Sequence, residues 1–166
     1  MTLKLILIRH AKSSWDNDIA SDHDRTLNDR GRQTAPLIGK WLQDKGHVPA
    51  LTLCSDAVRT KETWDLIAAE LSPAPQLAYA KPLYLAPPHV ILSHIQGADA
   101  PCVAVVAHNP GIAEFAHDIV EVAPDHPRFS DYPTGATTVV TFDADVWAEI
   151  QPGTGTVVDF TVPRDL

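Results

Sequence analysis

The chain has 166 residues, 45% of them hydrophobic and 20% charged, an ordinary globular composition, long enough to close one core without disulfide or metal staples. Its formal charge of -8 argues against a nucleic-acid partner, because phosphate backbones demand a broad basic surface; any anion site has to be a local cluster of cations. Cys54 and Cys102 are too few for a disulfide framework, no window approaches the roughly 20 apolar residues of a membrane span, and "MTLKLILIRH" lacks a signal-peptide core and cleavage site, so a cytoplasmic protein with no membrane partner is expected.

In chain order, the first apolar run is Leu3–Ile8, which reads as a strand buried on both faces. It passes directly into Arg9 and His10. "LNDRGRQTAPLIGKWLQDKG" then reads as a helix, with Asn28 as its cap, Ala35, Ile38, Trp41 and Leu42 near helical spacing, and Gly46 closing it. Pro36 predicts a kink rather than an end, since the apolar period continues past it. Leu51–Cys54 is a second strand, followed by a helix from about Ala57 to Leu71 with Val58, Trp64, Ile67, Ala68 and Leu71 as its buried stripe. "SPAP" ends that helix, and "QLAYA" reads as a short strand. "PPHVILSHIQG" gives a third helix with prolines suited to its first turn. Cys102–Ala107 is another buried strand, and residues 110 to 121 give a fourth helix. "TTVVTFD" and "GTVVDFTVP" are β-branched runs that suggest two last strands, with an antiparallel arrangement open to them. Strands alternating with helices imply α/β architecture in one domain spanning residues 1–166. Three layers are expected, a mostly parallel central sheet with helices on both faces.

In an open α/β sheet, ligands bind outside the carboxyl ends of the strands. The first strand ends in Arg9-His10, the second in Cys54-Ser55 with Arg59 on the next helix's first turn, and the Cys102–Ala107 strand in His108-Asn109. Two arginines and two histidines thus converge on one sheet edge, near helix N-termini that also favour anions. Arginine forks match phosphate oxygens, so the convergence reads as a phosphate pocket. A neutral imidazole in such a pocket is a competent nucleophile toward phosphorus.

These residues resemble a known family. "LIRHAKSSWD", "LNDRGRQTAPLIG", "CSDAVRTKET" and "VVAHNPGI", in that order and spacing, are similar to the histidine phosphatase superfamily, the phosphoglycerate mutase-like fold. "RHAKS", "DRGRQTAP", the short length and "PTGATTVVTF" look most like its SixA-type branch, whose named members act on protein phosphohistidine. The resemblance implies His10 as nucleophile, Arg9 and Arg59 as phosphate-binding arginines, and His108 as the second histidine. It also implies a phosphorylated substrate, with a phosphohistidine-bearing protein as the partner. Asp16 falls where relatives often carry a polar phosphate contact, an odd choice beside a dianion. "ASDHDRTLNDRG" reads as a solvated loop, yet in this family it borders the pocket, which puts Arg25 within reach of substrate. Trp15 falls close enough to line the rim.

One departure stands out. Relatives that cleave phosphate esters carry a carboxylate after the third strand, to protonate the leaving group. The corresponding segment here, Ala80 to Ala98, has no Asp or Glu and only His89 and His94 titrating near neutrality. That favours a leaving group that departs easily, such as the imidazole of phosphohistidine, over a sugar hydroxyl. No metal or cofactor is expected, since no HExxH or comparable spacing is present. His23, His47, His117 and His126 read as surface residues.

Rival chemistries fit less well. Cys54 and Arg59 have four residues between them where a cysteine-phosphatase loop needs five, and "SDAV" lacks glycine. "TVVTFDADVW" resembles an aspartate-nucleophile strand, but only 19 residues follow Trp147, too few for the rest of that machinery. A small-molecule phosphomonoester phosphatase of the same fold stays open, as does a phosphoprotein-binding module without turnover. The intact His10, Arg9, Arg59 and His108 set argues against the latter.

Overall fold

The computed structural model describes residues 1–16 and 21–166. Among the described residues six strands form one sheet: β1 (Thr2–Arg9), β2 (Leu51–Cys54), β3 (Gln76–Tyr79), β4 (Cys102–Ala107), β5 (Thr137–Asp143) and β6 (Thr156–Thr161). The α-helices described that join or follow them are α1 (Asp29–Asp44), α2 (Val58–Ala68), α3 (Pro88–Gln96) and α4 (Gly111–Ile119). The sheet order is β3-β2-β4-β1-β5-β6, with β3, β2, β4 and β1 mutually parallel. β5 is antiparallel to both β1 and β6, which is the arrangement the sequence left open for the last two strands.

β1 is central because its side chains feed two cores. Leu3, Leu5 and Leu7 pack with Ile91, Ile95, Ile112 and Phe115 of α3 and α4. Ile6 and Ile8 pack with Ala35, Ile38 and Leu42 of α1 and Trp64 and Ile67 of α2. Leu5 through Ile8 are fully buried, each contributing about 1.5–3 kcal/mol by leaving water. A strand covered on both faces has no polar alternation to show, hence the unbroken aliphatic run.

The helix boundaries follow local chemistry. Asn28 caps α1 by accepting from Gly31 N at 2.9 Å. The helix runs through Pro36, whose neighbours Ala35 and Ile38 hold it against the core. It closes at Gly46, with φ of 74°. There Gly46 N donates to Gln43 O (3.1 Å) and His47 N to Leu42 O (2.8 Å), the paired bonds of a glycine-terminated helix. α2 is shorter than expected at its carboxyl end, stopping at Ala68. Among the described residues no helix is long and apolar enough to cross a membrane.

His47 is not on the surface as expected. It is buried, accepting from Lys4 Nζ at 3.0 Å and donating Nε2–H to Asp159 at 2.9 Å. Both partners lie far away in sequence, so no local pattern marks the site.

Candidate active site

Strand register builds the site. Arg9 pairs with Ala107 across β1 and β4, and Cys54 pairs with Val106 across β2 and β4. One residue beyond the strand ends, His10 and His108 therefore stand side by side, with ring centroids 5.4 Å apart. Arg59 arrives from the first turn of α2. The resulting cleft of ≈ 350 Å³ is lined by Arg9, His10, Arg25, Arg59 and His108 together with Lys12, Ser13, Trp15, Asp22, Leu85, Asn109 and Thr134.

His10 is fixed at both levels, backbone and ring. Its N donates to Ala107 O (3.2 Å) and its carbonyl accepts from Gly135 N (2.9 Å). The ring Nδ1 lies 2.8 Å from Ala11 O; a carbonyl can only accept, so Nδ1 carries the proton and Nε2 keeps its lone pair. Ala11 N in turn donates to Thr63 Oγ1 (3.0 Å), and that hydroxyl donates to Arg59 O (2.7 Å), tying the loop after β1 to α2. Burial, with repulsion from Arg9, Arg59 and Arg25 added, pushes the His10 pKa down to about 3. The imidazole is neutral throughout the physiological range.

His108 is pushed down to about 3 as well, by burial first and then by His10 and Arg59. Its Nε2 lies 2.7 Å from Ser55 Oγ, while Nδ1 is buried without a partner among the described residues. Ser55 Oγ also accepts from Ala57 N (3.4 Å); with two lone pairs and one proton, it can either take Nε2–H or give Nε2 its own proton.

These two histidines tie stability to pH. Folded, each takes up its proton near pH 3; unfolded, each does so near pH 6.5. Between those values the unfolded chain binds more protons, so stability is complete above about pH 6.5 and falls as the pH drops through the window. The slope is about 1.4 kcal/mol per pH unit for each histidine. Thermal unfolding midpoints measured from pH 7 to pH 5 should therefore fall less steeply for His108→Asn than for the wild type. Equal slopes would contradict the neutral, buried state.

The arginines are held by backbone and by one carboxylate. Arg9 Nη1 donates to Tyr132 O (3.2 Å). That carbonyl also accepts from Asn109 Nδ2 (3.0 Å), and Tyr132 sits at φ 49°, a costly conformation for a non-glycine residue. The buried Tyr132 hydroxyl, donating to Leu7 O at 2.7 Å, holds it there. Arg25 is buried, donates to Ser14 O (2.9 Å) and to Ser13 Oγ, and lies 3.5 Å from the Trp15 ring centroid. Arg59 donates Nη1 to Asp22 O (2.8 Å) and Nη2 to Asp22 Oδ2 (3.1 Å). Asp22 also accepts from Arg25 (3.0 Å) and from the Tyr84 hydroxyl. Those donors, Tyr84 foremost, hold its carboxyl well below the usual range.

The cleft thus gathers His10, Arg9, Arg59, His108 and Arg25, all expected from sequence. Asp16 is exposed and outside the residues that line it; its N donates to Ser14 Oγ at 3.1 Å. Neither His89 nor His94 lines it. The segment from Ala80 to Ala98 reaches the site through Leu85, which lines the cleft, and through Tyr84, which stands edge-on to His108 at 5.4 Å. Sequence reasoning missed Asp22, Tyr84, Ser55 and Lys12. Asp22 lies in a stretch of alternating charge, indistinguishable from a solvated loop until Arg59 is seen to meet it. Among the described residues no group of acidic, histidine or cysteine side chains is placed to hold a metal ion.

Comparison with known proteins agrees with this geometry. Residues 5–79 match the model of the histidine phosphatase superfamily, branch 1. The uncharacterized protein Rv1276c of Mycobacterium tuberculosis is 36% identical over 166 residues, covering 95% of this chain and 100% of that protein. A structure from Nakamurella multipartitia, named provisionally as phosphohistidine phosphatase SixA, superposes with a TM-score of 0.82 at 26% identity, covering 98% of this chain and 97% of that one. A protein histidine phosphatase SixA complexed with tungstate shares the fold, with a TM-score of 0.80 at 19% identity over 98% of this chain and 99% of that one. The chain belongs to the histidine phosphatase superfamily and, within it, to the SixA-type branch.

Proposed function

We propose that this phosphatase transfers a phosphoryl group from phosphohistidine, or from a similarly activated phosphate, to His10 and then to water. One arrangement carries the reading: a neutral imidazole with its tautomer fixed by Ala11 O, set in a cleft lined by Arg9, Arg25 and Arg59. Nε2 attacks phosphorus and forms the N–P bond as the bond to the leaving group breaks. Arg9 and Arg59 neutralise the equatorial oxygens, and His108 stabilises the same group. Water then attacks phosphohistidine, releases orthophosphate and returns His10 to its neutral form.

The leaving group sets the substrate class. Asp22 is held ionised by its donors, and the Tyr84 hydroxyl, which donates to Asp22, is pushed above the ordinary tyrosine range by burial and that carboxylate. Neither is suited to protonate an alkoxide at neutral pH. An imidazole that enters protonated leaves as a neutral molecule and needs no such acid. The SixA neighbours support a protein substrate. A hollow beside the cleft, lined by Lys12, Arg30, Arg128 and Arg164, favours, as a second reading, a small molecule with an activated phosphate.

The reading further takes residues 1–166 as one cytoplasmic domain working without a metal. Purified protein should hydrolyse phosphohistidine protein and phosphoramidate with a kcat/KM well above that for sugar phosphates, and EDTA should leave the rate unchanged. Faster turnover of sugar phosphates, or loss of activity in EDTA, would overturn it.

A further inference from the structure

We infer that a second anion site adjoins the catalytic cleft, built by Lys12, Arg30 and Arg164, and that it binds a second phosphate group of the substrate. The substrate clause rests on the phosphoryl-transfer reading; the site does not. A hollow of ≈ 130 Å³ shares Lys12 and Thr134 with the cleft and is walled by Arg30, Arg128 and Arg164, with no acidic residue in its lining. Four cations from four separate segments meet there, in a chain carrying 13 Lys and Arg against 21 Asp and Glu.

Arg128 is occupied by Asp131 at 3.1 Å. Lys12, Arg30 and Arg164 have no carboxylate within 4.0 Å among the described residues, whereas Arg25 and Arg59 each have one and Arg32 has two. Like charges gathered without counter-charges repel one another, weakly here because Lys12, Arg30 and Arg164 are exposed to water, and they stand free to meet an anion.

The walls are fixed in register with the nucleophile. Asn28 N donates to Lys12 O (3.0 Å), and a Cβ on Gly31 would stand 2.1 Å from that same oxygen, so only glycine lets α1 dock there. On the other side, Gly135 N donates to Arg9 O (3.1 Å) and His10 O (2.9 Å). Gly135, at φ +78°, packs so closely that a Cβ would lie 2.5 Å from Pro163 Cγ. The Pro163–Asp165 turn that carries Arg164 is pinned further by His126 Nε2 donating to Asp165 (2.9 Å). Three cations therefore hang from backbone braced against the segment bearing His10. Thr34 and Thr134 add hydroxyls to the same lining. Guanidinium forks and an ammonium, with the Thr134 hydroxyl in the same lining, are the donor set for a phosphate. The small volume suits one such group, and the shared Lys12–Thr134 wall suits a substrate spanning both hollows.

The test uses tripolyphosphate and orthophosphate as probes, titrated calorimetrically into His10→Ala protein so that nothing turns over. Tripolyphosphate should bind roughly tenfold or more tightly than orthophosphate. Adding Arg30→Ala and Arg164→Ala should remove most of that preference and leave orthophosphate affinity unchanged. The same two substitutions in the His10 protein should leave kcat/KM for p-nitrophenyl phosphate as it was. Lys40→Ala with Lys45→Ala, an exposed pair outside the hollow, controls for net charge. An absent preference, or an equal loss in the control pair, would overturn the site. If the preference holds while no phosphoryl compound is turned over, the proposed reaction fails and the anion site stands.

Discussion

His10→Ala should lose turnover by on the order of 10⁶-fold, the scale seen when a covalent nucleophile is deleted from a serine hydrolase. Wild-type protein quenched in alkaline detergent should carry a phosphoryl group that is labile in acid and stable in base, and the variant should carry none. The fold should survive, because His10 contributes a neutral ring at the edge of the core rather than a packing centre. Thermal unfolding at pH 7 is the control for that. A label persisting in the variant would move the nucleophile elsewhere, with His108 the nearest imidazole at 5.4 Å.

Arg59→Ala ranks second. Its guanidinium is almost wholly buried and presents the fork on which the proposed phosphate clamp depends. Turnover should drop about 10³-fold, between the loss of one oxyanion donor and the loss of an arginine finger. Arg59→Lys should restore little, since an ammonium cannot offer two parallel donors. A purely structural role would predict loss of fold in place of loss of rate. A further readout separates the two. Arg59 helps depress both histidines, so proton titration of His10 and His108 followed by NMR should move upward in the variant. It should stay below the ordinary range, because burial outweighs the arginine in both cases.

Much of this site was legible because strand register does the placing. A run buried on both faces must be a central strand, and a central strand in a parallel sheet delivers its next residues to the ligand edge. Arg9-His10 and His108 follow from two such runs and one pairing. Arg59 needed only a helix start after β2. The residues that stayed hidden depend on loops with no period. Asp22 reaches Arg59 across 37 positions, Tyr84 reaches Asp22 across 62, and His47 finds Asp159 across 112. Nothing local in "ASDHDR" distinguishes an aspartate bound to two arginines from one facing water.

The carboxylate on Arg59 has a kinetic consequence. On the phosphoryl-transfer reading, every ligand entering the cleft competes with an anion attached to the same chain, hence present at high effective concentration. Chloride, with a single charge and no pair of oxygens to match the fork, competes poorly against Asp22. A doubly charged phosphoryl group fares better, since Arg9 and Arg59 both gain from it. After hydrolysis the bias reverses: orthophosphate leaves and Asp22 returns to the guanidinium. Asp22 thus acts as a tethered product expeller, favouring turnover over tight retention.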